Sequence, residues 1–319
     1  MRQLDLYLLV TNECSKNCDH CYAKNEEKKM TGQVASDLAK WISREDFKQL
    51  SLTIAGGEPT TNIDVVFGFY DLVREYKPLC HFFTNGDFLN DDILQELKQR
   101  NMGVKFNPTY RSLIEIESWI SKIKNICGKV TLAVVANEIN LPRLPELTEL
   151  VLKYRAKLRI NYLYDSNSLP NYVGEYTKQM SKVLDLLLES EYVMWPDYLI
   201  ANVLPTYEGV ANPYKCGKCR LTIDVDGTIR SCHPDYDTKI GSIYTHQFKD
   251  LRFPQKWSAE NLPECQGCEW IMWCQGGCPY TRKLAYGTYD YRTPFCPAFK
   301  QLFPKLRQLK DKWKNGTNN

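Results

Sequence analysis

The sequence of 319 residues lacks any apolar run long enough to cross a bilayer, which would need about 20 consecutive residues. It also lacks an export signal, because Met1–Asp5 leads directly into the strand-like run Leu6–Val10 without a small-residue cleavage site. Charge is nearly balanced: the net charge of +3 gives no reason to expect nucleic acid as a partner. These absences favour a cytoplasmic protein, with no membrane segment, of one large domain or two unequal ones.

Cysteine is abundant by contrast, and thirteen cysteines without an export signal indicate metal ligands rather than disulfides. Three of them, Cys14, Cys18 and Cys21, follow the first apolar run in the segment CSKNCDHCYA. Thiolates at this spacing select zinc or iron–sulfur clusters. Three thiolates on a four-iron cluster leave one iron open to bind a reactive group, whereas the alternative is a zinc knuckle with a distant fourth ligand.

Apolar runs alternate with helical periodicity through the first half, which predicts repeated βα units around a parallel sheet. The predicted strands are Leu4–Thr11, Leu50–Ile54, Cys80–Thr84, Gly103–Asn107, Val130–Ala136 and Lys157–Leu163. The predicted helices lie at Val34–Ile42, Ile63–Val73, Ile93–Leu97, Leu113–Ile123, Leu144–Tyr154 and about Tyr176–Leu188. Six such units predict a partial (β/α)6 barrel of the TIM type, with its active residues at the carboxyl ends of the strands.

The periodicity ends near residue 190, and cysteine, glycine and aromatic residues dominate from there onward. We therefore predict a barrel over 1–190, a linker over 191–212 and a small cysteine-rich domain over 213–319 that ends in a helix. Because its apolar core would be thin, this domain is expected to gain stability from metal.

The turn Ala55-Gly56-Gly57-Glu58-Pro59 follows the second strand, where its glycines would let the backbone approach a ligand closely. With the three-cysteine loop one βα unit earlier, this turn resembles that of the radical S-adenosylmethionine (SAM) superfamily. The resemblance implies that the open iron chelates the amino and carboxylate groups of SAM. Electron transfer from the cluster would then cleave SAM to a 5′-deoxyadenosyl radical, which takes hydrogen from the substrate.

The same resemblance implies a set of SAM contacts. Gly57 and Glu58 would contact the methionine amino end, His20 would stack beside the adenine unless it is an ordinary loop histidine, and Thr84-Asn85-Gly86 would lie near the adenosine. The family often has a serine after the fourth strand, but this chain has Asn107-Pro108-Thr109 there. The predicted cofactor-binding residues are therefore His20, Gly56, Gly57, Glu58, Pro59, Thr84, Asn85, Asn107, Thr109 and Asn137.

Eight further cysteines occupy the last third of the chain in two sets of four, for which zinc ribbons are the physical alternative. Their spacing, with the segment CQGGCP and a turn at residues 239–243, resembles the SPASM extension of radical SAM enzymes that modify peptides. The resemblance implies two auxiliary four-iron clusters. The first would be held by Cys216, Cys219, Cys232 and Cys278, and the second by Cys265, Cys268, Cys274 and Cys296. If Cys216 or Cys219 is not a ligand, the first auxiliary cluster has an open iron.

The resulting hypothesis is a SAM-cleaving maturase of a ribosomally made peptide, which would crosslink, epimerise or oxidise it or form a thioether. Dehydrogenation of a small alcohol or of a sulfatase cysteine or serine is the second hypothesis, and a non-catalytic electron carrier is the third. The first predicted strand begins within a few residues of Met1, so we expect leader recognition to be direct, unnecessary or supplied by a separate protein. A flavodoxin- or ferredoxin-like donor would supply electrons.

Several residues are assigned structural roles. Cys80 and Cys127 are expected to be small buried hydrophobes, and Asp224 and Asp226 to belong to a hairpin with an Asp-Gly turn. The basic segment 300–314 places Leu302, Leu306 and Leu309 on one face and is expected to form a helix whose charged face is solvated or attracts an acidic leader.

Overall fold

The computed structural model describes residues 3–23, 26–163, 169–192, 220–253 and 259–316. The chain divides into two compact units. Unit one comprises residues 1–106, 126–128 and 215–255, and unit two comprises residues 107–125, 129–214 and 256–319. Two predicted cluster ligands, Cys216 and Cys219, and most of the predicted linker lie outside the described residues.

Four parallel strands of unit one lie side by side in chain order. They are β1 (Gln3–Leu9), β2 (Gln49–Ala55), β3 (Leu79–Thr84) and β4 (Gly103–Phe106). The register pairs Leu8 with Ile54 and Ile54 with Phe82, so the loops that follow β1, β2 and β3 leave the sheet at the same edge. β1 is buried on both faces from Leu4 to Leu9, as expected of a parallel sheet.

The helices of unit one follow these strands at α1 (Gly32–Ser43), α2 (Ile63–Val73) and α3 (Asp91–Gln99). Side-chain caps fix where two of them begin. The Thr31 hydroxyl accepts a hydrogen bond from Val34 N at 3.2 Å, and Asn90 Oδ1 accepts one from Ile93 N at 2.9 Å. The predicted alternation of strand and helix is therefore confirmed in this unit.

Three further strands extend the sheet of unit one beyond β1. β7 (Arg220–Ile223) pairs in parallel with β1, and β8 (Thr228–Arg230) and β9 (Lys239–Ser242) follow in antiparallel order. The β7–β8 connection is the predicted Asp-Gly hairpin, with Gly227 N donating to Asp224 O at 3.0 Å. Residues 239–242, expected to form part of a turn, instead form β9, because Gly241 pairs with Ile229 across the antiparallel ladder.

Unit two contains the remaining regular elements. Its strands are β5 (Thr131–Ala136) and β6 (Lys157–Tyr162), which are parallel neighbours. Its helices are α4 (Leu113–Cys127, the last two residues of which fall in unit one), α5 (Leu144–Lys153), α6 (Leu169–Glu189), α7 (Ile271–Cys274), α8 (Pro279–Tyr286) and α9 (Cys296–Gly316). The helix predicted from about Tyr176 thus begins at Leu169.

The basic C-terminal segment is helical, as predicted, and packs on α6. Lys305 Nζ donates to Asp185 at 2.6 Å and to Ser181 Oγ at 2.7 Å. The three leucines of its apolar face are each at most 3 % exposed, so this face belongs to the core of unit two. Among the described residues, no helix is long and apolar enough to cross a membrane.

Candidate functional site

The three-cysteine loop follows β1 and brings three thiols close together. Burial and the neighbouring thiols of Cys21 and Cys14 raise the pKa of Cys18 to about 11. Burial also raises the pKa of Cys14 and of Cys21. Lys16 N donates to Cys14 Sγ at 3.4 Å, and Cys21 N donates to Cys18 O at 2.9 Å, which curls the loop. Soft sulfur donors gathered on one loop suit a cluster with three protein ligands.

The Gly56-Gly57 turn lies directly against this cysteine loop. Gly57 N donates to Thr11 O and Glu58 N to Glu13 O, each at 2.7 Å. A Cβ atom on Gly56 would lie 2.2 Å from Thr11 O, and one on Gly57 would lie 2.0 Å from Glu13 O. The glycines are therefore required for the approach of two backbone segments, while their contact with SAM stays a prediction.

Glu58 is buried, at 1 % exposure, and its carboxylate joins the ends of β2 and β3. One oxygen, Oε1, accepts hydrogen bonds from Thr60 Oγ1 at 2.7 Å and Thr84 Oγ1 at 2.8 Å. The other, Oε2, accepts from Asn85 N at 2.7 Å. Burial raises the pKa of Glu58 although these donors favour the ionised form. Pro59 follows at the start of a short 3-10 helix that ends at Asn62.

Asn85 connects this network to the cysteine loop. Its Nδ2 donates to Cys14 Sγ at 3.7 Å and to Ser15 Oγ at 3.1 Å. Thr84 Oγ1 in turn accepts from Gly86 N at 3.0 Å. The structure thus brings Cys14, Glu58, Thr84 and Asn85 into one network at the shared edge of β1, β2 and β3. Spacing along the chain indicated the separate turns but not their connection.

His20 lies in the cysteine loop itself, between Asp19 and Cys21. Burial lowers its pKa, with Asp19 opposing the shift, so the imidazole is favoured in its neutral form. A neutral aromatic ring at this position is compatible with stacking on adenine, and that role stays a prediction.

Three predicted SAM contacts lie in unit two. Thr109 Oγ1 donates to Asn107 Oδ1 at 2.9 Å, and Asn137 Oδ1 accepts from Asn140 N at 2.9 Å. Thr109 and Asn137 are buried. These hydrogen bonds shape the loops after β4 and β5, and the predicted SAM contacts of the three residues are untested.

Four cysteines of unit two line a single cavity. Cys265, Cys268, Cys274 and Cys296 surround a space of about 380 Å³ that includes its open mouth. Burial and the thiols of Cys296, Cys265 and Cys268 raise the pKa of Cys274 to about 12. The first residue of α9, Cys296, thus joins cysteines that precede it by more than twenty positions. This is the set that the resemblance assigned to the second auxiliary cluster, and four thiol donors suit such a cluster.

The predicted ligands of the first auxiliary cluster are distributed between the two units. In unit one, the backbone oxygen of Cys232 accepts a hydrogen bond from Arg230 Nη1 at 3.2 Å. In unit two, Cys278 is buried. Burial raises the pKa of its thiol, whereas hydrogen bonds from Thr281 N, Tyr280 N and Tyr162 lower it. The assignment of Cys216, Cys219, Cys232 and Cys278 to one cluster stays a prediction.

Of the two remaining cysteines, Cys80 is buried as expected, whereas Cys127 is not fully buried. Cys80 is 2 % exposed on β3, and burial raises its pKa. Cys127 is half-buried and its Sγ donates to Leu94 O at 3.5 Å. Within the described ranges, no three His, Cys, Asp or Glu side chains are arranged to hold a single metal ion, which is a different geometry from thiolates around a cluster of four irons.

An aromatic cluster that the sequence did not reveal adjoins two of the predicted ligands. The Tyr7 hydroxyl lies 2.8 Å from that of Tyr22, and the Tyr7 ring stacks on His233 with centroids 4.5 Å apart. Tyr22 meets His233 edge to face at 5.0 Å. Because Tyr22 follows Cys21 and His233 follows Cys232, these aromatic contacts connect two loops of unit one.

Comparison with known proteins shows which family this site is similar to. Residues 8–108 match the family described as "Radical SAM superfamily", and this range contains the cysteine loop and the Gly-Gly-Glu-Pro turn. This part of the chain is similar to radical SAM enzymes. Radical SAM enzymes use SAM and a four-iron cluster, and the three thiols of the β1 loop are the residues that would hold that cluster.

Two relatives show how far the similarity extends. Mycofactocin maturase MftC of Mycolicibacterium smegmatis is 23 % identical over 328 aligned positions, which cover 90 % of this chain and 81 % of MftC. The uncharacterized protein MJ0907 of Methanocaldococcus jannaschii is 27 % identical over 48 % of this chain. The match spans 59 % of MJ0907, less than two thirds of its length.

Two solved structures share the fold of this chain. The anSMEcpe structure with bound AdoMet and Cp18Cys peptide has a TM-score of 0.77 at 18 % identity, covering 98 % of this chain and 99 % of anSMEcpe. Streptococcus suis SuiB bound to precursor peptide SuiA has a TM-score of 0.68 at 15 % identity, covering 92 % and 76 %. This likeness confirms the predicted α/β partial barrel, and the cysteine-rich C-terminal region is consistent with the same fold.

Proposed function

We propose that this protein is a radical SAM enzyme, a maturase that removes hydrogen from a carbon of a ribosomally made peptide. The observation that carries the proposal is the network at the edge of β1, β2 and β3, where the three thiols adjoin the Gly-Gly-Glu turn. A four-iron cluster held by Cys14, Cys18 and Cys21 would supply, together with SAM, the radical chemistry needed for hydrogen abstraction. The chain's own part is to hold three thiolates on one loop and to fix the neighbouring turn by backbone hydrogen bonds.

Similarity over most of the chain supports a peptide as the substrate. MftC, which is named a maturase, aligns with 90 % of this chain. SuiB, whose structure contains a precursor peptide, shares the fold over 92 % of it. A crosslink, a thioether, an epimer or an oxidised side chain would each follow from the same first hydrogen abstraction.

The cavity lined by Cys265, Cys268, Cys274 and Cys296 supports one auxiliary cluster in addition to the SAM-binding one. A second auxiliary cluster, held by Cys216, Cys219, Cys232 and Cys278, is part of the proposal. Auxiliary clusters would accept the electron left on the substrate radical or orient the peptide. A flavodoxin- or ferredoxin-like donor and a separate leader-recognition protein complete the proposed partners, and the cytoplasm is the proposed compartment.

The role of the three-cysteine loop is tested by SAM cleavage. The reconstituted, dithionite-reduced chain should release 5′-deoxyadenosine, and replacing Cys14, Cys18 and Cys21 with alanine should abolish release. Cys127→Ala is the matched control. This half-buried thiol lies outside the three-cysteine loop and outside both sets of four, so its replacement should leave SAM cleavage unchanged. Retained cleavage in the triple variant would refute the site.

The substrate is tested separately with the genes beside this one. A short open reading frame there should encode a peptide whose mass changes when it is incubated with the enzyme, SAM and reductant. Incubation without SAM is the control. An unchanged peptide together with oxidation of a small alcohol or of a sulfatase peptide would reject the peptide-maturase proposal in favour of the dehydrogenase.

A further inference from the structure

The sulfur of Cys14 accepts hydrogen bonds from two N–H groups. One comes from the backbone of Lys16, whose nitrogen lies 3.4 Å from Sγ. The other comes from the side-chain amide of Asn85, whose Nδ2 lies 3.7 Å away. Asn85 is 71 positions further along the chain, so this contact depends on the fold and not on the local geometry of the cysteine loop.

The orientation of the Asn85 amide is fixed by its neighbours. Asp87 N donates to Asn85 Oδ1 at 2.8 Å, which assigns the oxygen to that side and directs the NH2 group toward the sulfur. The same NH2 group donates to Ser15 Oγ at 3.1 Å. The backbone is held as well, because Asn85 N donates to the buried carboxylate of Glu58 at 2.7 Å. The side-chain amide of Asn85 is therefore held in a fixed orientation by the surrounding hydrogen bonds.

A hydrogen bond to a ligand sulfur stabilises negative charge on that sulfur. Reduction adds one electron to an iron–sulfur cluster and spreads negative charge onto its thiolates, so such hydrogen bonds raise the reduction potential. Resemblance to the family suggested a different role for Asn85, namely contact with the adenosine of SAM. The observed geometry places its amide on the cluster side of the loop.

We propose that Asn85 is a positioning residue that raises the reduction potential of the SAM-binding cluster by donating a hydrogen bond to Cys14 Sγ. The inference rests on the proposed role of Cys14 as a cluster ligand. The step affected is a one-electron reduction in which the electron comes from the flavodoxin- or ferredoxin-like donor. No bond forms or breaks, and no proton is transferred.

The test measures the potential of the reconstituted full-length chain without SAM. Asn85→Leu keeps a similar size but removes the donor. At a fixed solution potential, we expect about a tenfold fall in the ratio of reduced to oxidised SAM-binding cluster by EPR, equivalent to about 59 mV downward for a one-electron couple. The spectrum of the Cys14, Cys18 and Cys21 triple alanine variant is subtracted to remove the auxiliary clusters.

Ser15→Ala is the matched control, because it removes the other hydrogen-bond acceptor of the same amide and leaves Asn85 and Cys14 in place. Its potential should match that of the wild type. An unchanged potential in Asn85→Leu and Asn85→Ala, or an equal shift in Ser15→Ala, would overturn the proposal. Loss of cluster loading in both Asn85 variants would also contradict it, since Asn85 would then be a structural requirement.

Failure of the underlying assignment is distinguishable from failure of this inference. If the three-cysteine loop does not bind the SAM-binding cluster, the triple alanine variant retains the iron of that cluster, and the proposed site itself is wrong. If the triple variant loses that iron while Asn85→Leu keeps the wild-type potential, the site stands and the role of Asn85 is wrong.

Discussion

The guanidinium of Arg230 forms a two-pronged ion pair with the carboxylate of Asp224, with Nε 2.8 Å from Oδ2 and Nη2 2.6 Å from Oδ1. Arg230 is 1 % exposed, and its third nitrogen donates to the backbone oxygens of Cys232 at 3.2 Å and His233 at 3.0 Å. The guanidinium also lies 4.0 Å from the centroid of the Tyr236 ring. One buried arginine thus holds the loop that carries a predicted cluster ligand.

Replacing Arg230 with methionine should lower the free energy of unfolding of the metal-free chain by about 3 kcal/mol. The value lies at the lower end of the range for a broken buried pair, because Asp224 retains 18 % exposure and is partly solvated. Urea unfolding measures the change. Lys40→Ala, which breaks the exposed pair with Asp37, should give no measurable change, and equal effects of the two variants would contradict the assigned role of Arg230.

Replacing Gly57 with alanine should displace the cysteine loop, because the new Cβ would lie 2.0 Å from the backbone oxygen of Glu13. The reconstituted chain should lose the iron of one cluster, about four of about twelve irons. Gly68→Ala is the control. Gly68 lies in α2 with nothing within 4 Å of an added Cβ, so this variant should keep its iron and gain about 0.5–1 kcal/mol of stability. Full iron content in Gly57→Ala would show that the loop tolerates the shift.

The buried carboxylate of Glu58 should make stability depend on pH in a defined direction. Burial raises its pKa in the folded chain above the ordinary glutamate value near 4.5, so the folded state binds its proton more readily than the unfolded state. The corresponding stability is fully present below pH 4.5 and is lost as pH rises through the raised pKa. Relative to Glu58→Gln, which cannot titrate, the wild type should therefore gain stability as pH falls through this window.

Chemical denaturation of both metal-free proteins between pH 4.5 and neutrality measures this difference. Substitution of the donor Thr84 by valine provides a second comparison, because it removes a hydrogen bond of 2.8 Å to the same carboxylate. That variant should lose about 1.5–3 kcal/mol at neutral pH, the usual value for a hydrogen bond to a charged group. If the stability of the wild type relative to Glu58→Gln instead increases as pH rises, the raised pKa of Glu58 is contradicted.

The strands of the barrel and the turns that follow them were predictable, because buried parallel strands are near-continuous apolar runs bounded by glycine, proline and asparagine. All six predicted strands match β1 to β6 within one or two residues at each end. The Asp226-Gly227 turn was predictable for a similarly local reason.

Features that depend on pairing between distant segments were not predictable. β7 has four residues and pairs with β1 from more than two hundred positions away, so its own sequence does not indicate a parallel neighbour. The contact between Asn85 and Cys14 arises only because the β1, β2 and β3 registers align the three loops. The partners of Arg230 likewise become visible only once the hairpin has folded.

Replacing Cys274 with alanine should remove one auxiliary cluster and leave SAM cleavage in place. Its thiol lines the same cavity as Cys265, Cys268 and Cys296, and the four together provide the full ligation that a four-iron cluster requires. The reconstituted variant should contain about eight irons instead of about twelve, and should still release 5′-deoxyadenosine because the β1 loop is unchanged. Cys127→Ala should keep all of its iron. An unchanged iron content in Cys274→Ala would refute the assignment of this cavity to a cluster, and a drop to about four irons would show that the two auxiliary clusters assemble together.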